Sequence, residues 1–190
     1  MKTVNAMIVG VGGQGTLLAS RLLGRVLVDG GYDVKVSEVH GMSQRGGSVV
    51  TYVRWGERVY SPIVDLGEAD YVIAFEKLEA ARSVPYLAPG GRIVVNAQEI
   101  DPMPVIIGKA EYPHGVLDEI AATGVAVDAI DALSLALEAG SVKAVNIVLM
   151  GRFARLLDIP EEKWIAALEA VVPPKFVELN KKAFALGYNA

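Results

Sequence analysis

The chain has 190 residues, a net charge of −4 at pH 7 and no cysteine, so it can form no disulfide, thiolate nucleophile or cysteine-ligated iron–sulfur cluster. Only two histidines, His40 and His114, are present, so we expect no metal site. The sequence contains no long basic run and no apolar run of the roughly 18 residues that a membrane helix needs. We therefore expect a cytoplasmic protein that binds neither nucleic acid nor membrane.

The first 39 residues predict a strand, a glycine turn, a helix and a second strand. Residues 4–9 are apolar and β-branched, which is typical of a strand buried on both faces. Apolar residues recur at helical spacing over 14–28, and 32–39 predict the second strand. The strands of such a βαβ unit are expected to be parallel and joined by a right-handed crossover.

A polar, glycine-rich loop over residues 40–47 is followed by a predicted β-hairpin. Residues 48–54 form its first strand, 55–57 its turn and 58–60 its returning strand, so the sheet is expected to be mixed. Trp55 would then lie at the hairpin tip, where an exposed aromatic side chain suits an anchor for a partner.

Strands and helices alternate over the rest of the chain. Further strands are predicted at 71–75, 92–96, 105–107 and 125–129. Helices are predicted at 76–87, 115–122, 131–139, 142–157, 160–172 and from 175 onward. This alternation predicts a single three-layer α/β/α domain over residues 1–190, Rossmann-like, with a mostly parallel, mixed sheet.

The glycine turn between the first strand and helix has the pattern G-x-G-x-x-G, formed by Gly10, Gly12, Gly13 and Gly15. Glycines let the backbone turn tightly and let a ligand approach, and the helix N-terminus behind them attracts a phosphate. Glu38 ends the second strand, where a Rossmann fold places its ribose-binding acid. These four glycines are therefore candidate cofactor-binding residues. The alternative is that they only let strand and helix pack closely, with Glu38 a solvated strand end.

The loop after Glu38 leaves the carboxyl end of the second strand, beside the glycine turn, where open α/β folds bind ligands or partners. Arg45 is suited to pairing with a carboxylate or phosphate, and the glycines allow the loop to lie flat against another surface. The alternative is an ordinary solvated loop. The candidate residues are His40, Ser43, Gln44, Arg45, Gly46 and Gly47.

Residues 10–20 and 37–48 together resemble the gamma-type subunit of the 2-oxoacid ferredoxin oxidoreductases, and within that family the subunit of the indolepyruvate enzymes. The resemblance continues through 60–62 and 70–87 and returns at 146–151. It therefore covers most of the chain, and the two motifs in this order are far more specific than the glycine turn alone.

The resemblance implies a subunit of a complex that oxidatively decarboxylates aryl pyruvates such as indolepyruvate to acyl-CoA and passes electrons to ferredoxin. It implies that thiamine diphosphate, [4Fe–4S] clusters and coenzyme A serve the complex, with a larger catalytic (alpha) subunit as the partner. This chain would then bind no cofactor and supply no catalytic residue. The glycine turn and the 40–47 loop would form the face that meets the catalytic subunit.

Other functions stay open at this point. A stand-alone Rossmann-like oxidoreductase would bind NAD(P) or a flavin by itself, and a pure assembly subunit would not contact the active site. Pyruvate, 2-oxoglutarate and 2-oxoisovalerate are alternative substrates. Asn146 lies inside an otherwise apolar predicted helix. Its side chain is interpreted either as bonded to neighbouring backbone or as an anchor for one of the glycine-rich loops.

Overall fold

The computed structural model describes residues 2–38 and 47–190, and these contain one six-stranded sheet flanked by helices. The strands are β1 Val4–Val11, β2 Asp33–Glu38, β3 Ser48–Gly56, β4 Ala69–Ala74, β5 Leu87–Asn96 and β6 Ala126–Ile130. The helices are α1 Thr16–Asp29, α2 Lys77–Ser83, α3 Met103–Ile106, α4 Val116–Ala122, α5 Ala132–Ala139, α6 Val145–Ala154, α7 Glu161–Val171 and α8 Val177–Asn189. Over this part of the chain, no helix is long and apolar enough to cross a membrane.

The sheet has the strand order β2-β3-β1-β4-β5-β6. Strands β1, β4, β5 and β6 are parallel, and β3 runs antiparallel to both of its neighbours, so the predicted mixed sheet is confirmed. Strands β1 and β2 point the same way, as predicted. They are not neighbours, however, because β3 lies between them.

The predicted hairpin between 48–54 and 58–60 is wrong. β3 pairs with β2 and β1 instead, and the chain turns away after it, with the Val59 N–H donating to the Asp33 carboxylate at 2.8 Å. Trp55 is consequently no exposed tip. It lies opposite Val4 and Val34 in the sheet and is only 3% exposed, packed in the core.

The predicted strand at 105–107 is also wrong, since these residues end α3 and the turn after it. Pro102 and Pro104 favour the start of a helix here, because their fixed φ matches the first turn. No sheet edge is open beside β5 for another strand, because β4 and β6 already pair with it. The predicted helix at 76–87 ends at Ser83, and a 3-10 turn at Val84–Tyr86 contains Pro85.

Helices cover both faces of the sheet, which confirms the three-layer α/β/α architecture. Alternate strand residues such as Ile8 and Met7 point to opposite faces. The first face is covered by α1, α5, α6, α7 and α8 and the second by α2 and α4.

Helix α6 is buried between the sheet and α8, and the two helices cross at glycines. A Cβ added to Gly187 of α8 would overlap the backbone carbonyl of Val148. One added to Gly151 of α6 would overlap the carbonyl oxygen of Phe184. The two helices therefore touch backbone to backbone at this crossing.

Candidate functional site at the glycine turn

The glycine turn connects the carboxyl end of β1 to the start of α1. Gly13 and Gly15 have φ of +101° and +84°, a conformation that L side chains rarely adopt. Gly15 is the residue that precedes α1, and no side chain caps the helix there. The turn therefore needs glycine at these two positions for its backbone shape alone.

The side chain of Gln14 fills the gap between the ends of β1 and β4. Its Oε1 accepts the Val11 N–H at 2.7 Å, and its Nε2 donates to the Phe75 carbonyl at 3.0 Å. Because α1 and α2 cover opposite faces of the sheet, this gap is the switch point where open α/β sheets bind ligands. A Cβ on Gly10 would lie 2.9 Å from Gln14 Oε1, so glycine at 10 makes room for this bridge.

Asn146 anchors the glycine turn to the first turn of α6. Its Nδ2 donates to the Gly15 carbonyl at 3.1 Å, while its Oδ1 accepts the Ile147 N–H at 2.9 Å. Both interpretations of Asn146 therefore hold, since the side chain bonds neighbouring backbone and also holds the turn. A Cβ on Gly15 would lie 2.5 Å from Asn146 Nδ2.

We expect Gly15→Ala to lower the free energy of unfolding by about 2 kcal/mol, because it adds left-handed strain and a clash with Asn146. Urea denaturation of Gly15→Ala, Asn146→Ala and the double variant would measure this cost. The clash exists only while both side chains are present, so the double variant should be more stable than the sum of the two single changes predicts. Strictly additive losses would contradict a direct contact between the two positions.

Of the candidate loop residues, His40, Ser43, Gln44, Arg45 and Gly46 lie outside the described residues. Gly47 is described, and its carbonyl accepts the Gly12 N–H at 2.8 Å. The hydroxyl of Ser48, the next residue, donates to Glu79 at 2.5 Å. The exit of the second loop is thus fixed against both the glycine turn and α2.

Glu38 is placed differently from the ribose-binding acid of a Rossmann fold. With β3 between β1 and β2, Glu38 lies two strand spacings, about 10 Å, from β1. Its carboxylate accepts the Ser20 hydroxyl of α1 at 2.8 Å, so it is not a free strand end either. The strand order therefore separates the two halves of the dinucleotide motif.

Two buried acids at the start of α2 were missed by the sequence analysis. Glu76 is 1% exposed, and it accepts the Glu79 N–H at 3.0 Å, the Ile100 N–H at 3.3 Å and the Tyr112 hydroxyl. Glu79 accepts from Ser48 and Arg82. Burial and, next, the hydrogen bond to Glu76 raise the pKa of Tyr112. The sequence pattern that could have revealed this pair is an acidic residue directly after a buried strand, at the start of a helix, followed by a second acidic residue three positions later.

An open cleft of about 480 Å³ lies beside the turn, towards α5 and α6. Aliphatic side chains, two side-chain amides and the exposed Lys143 line it. Lys143 thus borders a concave surface at the carboxyl edge of the sheet. Residues of the cleft wall include Gln14, Gln98, Ile100, Leu133 and Val142.

Comparison with known proteins places the chain in a family. The family model described as pyruvate ferredoxin/flavodoxin oxidoreductase matches residues 5–190. The chain is 45% identical over 197 residues to the indolepyruvate oxidoreductase subunit IorB of Thermococcus kodakarensis. The aligned region covers 100% of this chain and 96% of that subunit.

Solved structures share the fold. The gamma subunit of the keto/oxoacid ferredoxin oxidoreductase from Geobacter sulfurreducens has a TM-score of 0.72 at 23% identity, covering 98% of this chain and 96% of its own. The 2-oxoglutarate:ferredoxin oxidoreductase of Magnetococcus marinus has a TM-score of 0.72 at 20% identity. The match covers 100% of this chain and 31% of the chain of that enzyme. From the family match and the full-length identity, the chain belongs to the pyruvate ferredoxin/flavodoxin oxidoreductase family.

Proposed function

We propose that this chain is a subunit of a ferredoxin-dependent 2-oxoacid oxidoreductase of the indolepyruvate type, which converts aryl pyruvates to acyl-CoA. The observation that carries the proposal is the 45% identity to an indolepyruvate oxidoreductase subunit along the whole chain. Residues 1–190 act as one unit in this complex.

A larger catalytic subunit holds the thiamine diphosphate and the [4Fe–4S] clusters, and coenzyme A is its acyl acceptor. The absence of cysteine from the sequence supports this division, because a cluster needs thiolate ligands that this chain cannot supply. The subunit status of the relatives supports a partner of this kind.

The carboxyl edge of the sheet, with the glycine turn and the 40–47 loop, is the face that meets the catalytic subunit. Support comes from the hydrogen bond that joins Gly12 to Gly47, since it holds the end of the second glycine-rich segment against the glycine turn. The Gln14 bridge argues against the stand-alone NAD(P) enzyme, because the amide occupies the gap that a dinucleotide would need.

The test is co-purification of the tagged chain from its native host without oxygen, followed by assays of thiamine- and CoA-dependent viologen reduction. We expect a large iron- and thiamine-bearing partner and turnover of indolepyruvate in preference to pyruvate or 2-oxoglutarate. A chain that elutes alone and binds NAD(P) or a flavin would overturn the proposal.

In the same complex, Arg45→Ala distinguishes an active-site-facing loop from a pure assembly role. Loss of a charged hydrogen bond is expected to lower turnover or partner affinity at least about tenfold. Arg92→Ala is the matched control, because Arg92 is exposed and lies beside Ala126, the first residue of β6, away from the carboxyl ends of the strands. If both variants behave like the wild type, the loop does not face the partner's active site.

A further inference from the structure

A second, smaller pocket opens on the α1 side of the glycine turn. It has a volume of about 280 Å³ and lies between the start of α1 and the strand β3. The Gln14 side chain lies instead between β1 and β4, so it does not fill this pocket. Its walls are formed by Gly12, Gly13, Gly15, Thr16, Leu17, Val49 and Thr51.

The start of α1 presents unsatisfied backbone donors to this pocket. Helix α1 has 14 residues, so its N-terminus carries a partial positive charge. Gly15 provides no side-chain cap, and the first turn contains no acidic residue. Within the described residues, the N–H groups of Thr16 and Leu17 have no hydrogen-bond partner, whereas Leu18 N–H donates to the Gly15 carbonyl at 3.1 Å.

Two largely buried threonines offer their hydroxyl groups to the pocket. Thr16 is 8% exposed and Thr51 is 3% exposed, and both line the pocket. Over residues 2–38 and 47–190, neither hydroxyl makes a hydrogen bond, and neither oxygen is fully buried, so both are open to a ligand in the pocket. The methyl group of Thr16 lies 3.5 Å from a Cβ position on Gly10, which leaves its hydroxyl on the side away from β1.

The nearest carboxylate on β2 is turned to a neighbouring groove. Glu38 pairs with Thr51 across the sheet, but its side chain accepts from Ser20 and lines the groove formed with Arg21, Gly24 and Val36. Among the described residues, none of those that line the pocket is acidic. The donors that the described residues offer are the two N–H groups at the start of α1, which is how helix N-termini bind phosphate, and the two threonine hydroxyls beside them.

From this geometry we propose that the pocket binds a single phosphate group, either free phosphate or the phosphate of a larger ligand, through the start of α1 and the hydroxyls of Thr16 and Thr51. The inference rests on the proposed function only in assigning the glycine turn a binding role. It concerns the isolated chain, so its test is independent of partner and turnover.

The test is a titration of the full-length, isotope-labelled chain with inorganic phosphate at constant ionic strength, followed by amide chemical shifts. We expect saturable shifts centred on Gly13, Gly15, Thr16 and Leu17. Thr51→Val keeps the shape of the side chain and removes the hydroxyl, so it should weaken phosphate binding about tenfold. Thr16→Val should act in the same direction and serves if Thr51→Val does not fold.

Thr3→Val is the matched control, since Thr3 lies at the opposite end of the sheet beside Gly56, and it should leave binding unchanged. If adenosine monophosphate binds more tightly than inorganic phosphate, the bound phosphate group belongs to a nucleotide. If the two bind equally, the ligand is the free phosphate anion. Shifts that do not saturate, that spread over the surface, or that survive in both hydroxyl variants would overturn the proposal.

Discussion

Replacing Gly187 with alanine is expected to lower the free energy of unfolding by about 3 kcal/mol or more, one of the largest effects of any single methyl group in this chain. The added Cβ would overlap the backbone carbonyl of Val148, and backbone in a buried helix cannot move aside as a side chain can. Helix α6 would have to separate from α8, which would open the core on that face of the sheet. Thermal unfolding should show a melting temperature lowered by roughly 10 °C.

Gly24→Ala provides the matched control for this variant. Gly24 also lies inside a helix, α1, but the nearest atom to an added Cβ is a methyl carbon of Val36 at 3.9 Å. Because alanine favours helix over glycine by about 1 kcal/mol, this change should leave stability unchanged or raise it. If Gly187→Ala matched Gly24→Ala, the close crossing of α6 and α8 would be refuted.

Glu76→Ala is expected to have an effect of similar size, about 3 kcal/mol, for a different reason. Removing the carboxylate leaves the Glu79 N–H, the Ile100 N–H and the Tyr112 hydroxyl without their acceptor. It also removes the N-cap of α2. Urea denaturation would measure the loss of unfolding free energy. Amide hydrogen exchange should accelerate over residues 98–115, because Glu76 binds this segment through Ile100 and Tyr112.

Two conservative variants calibrate this prediction. Tyr112→Phe removes one of the three donors and should cost about 1 kcal/mol. Glu76→Gln keeps one acceptor oxygen but presents an amide N–H to another donor, so it should lie between Tyr112→Phe and Glu76→Ala. A Glu76→Ala variant no less stable than Tyr112→Phe would show that the acid does not organise this edge.

The local elements of the site could be predicted from the sequence, but the pairing of the strands could not. The apolar run of β1, the glycines and the helical spacing of α1 are all neighbours in the chain, so the strand–turn–helix unit was predicted correctly. The position of β3 depends on contacts such as Val4 with Trp55, which are remote in sequence. For that reason the hairpin and the exposure of Trp55 were predicted wrongly.

The positions of the glycines could likewise be predicted from the sequence, whereas the side chains that pack against them could not. The sequence shows where Gly10 and Gly15 are, but not that Gln14 and Asn146 occupy the space they leave. Asn146 is 131 positions from Gly15, so no local pattern connects them. Glu76 was likewise hidden, because its main partners, Ile100 and Tyr112, belong to a segment that folds back from beyond β5.

The burial of α6 has a consequence for the order in which the protein is made. Synthesis proceeds from the N-terminus, and the helices that cover much of the first sheet face, α6, α7 and α8, are made after all six strands of the sheet. Until the ribosome has released them, β1, β4 and α1 present an uncovered apolar surface, and the Asn146 anchor of the glycine turn does not yet exist. The nascent chain is therefore exposed to aggregation until α6, α7 and α8 have emerged.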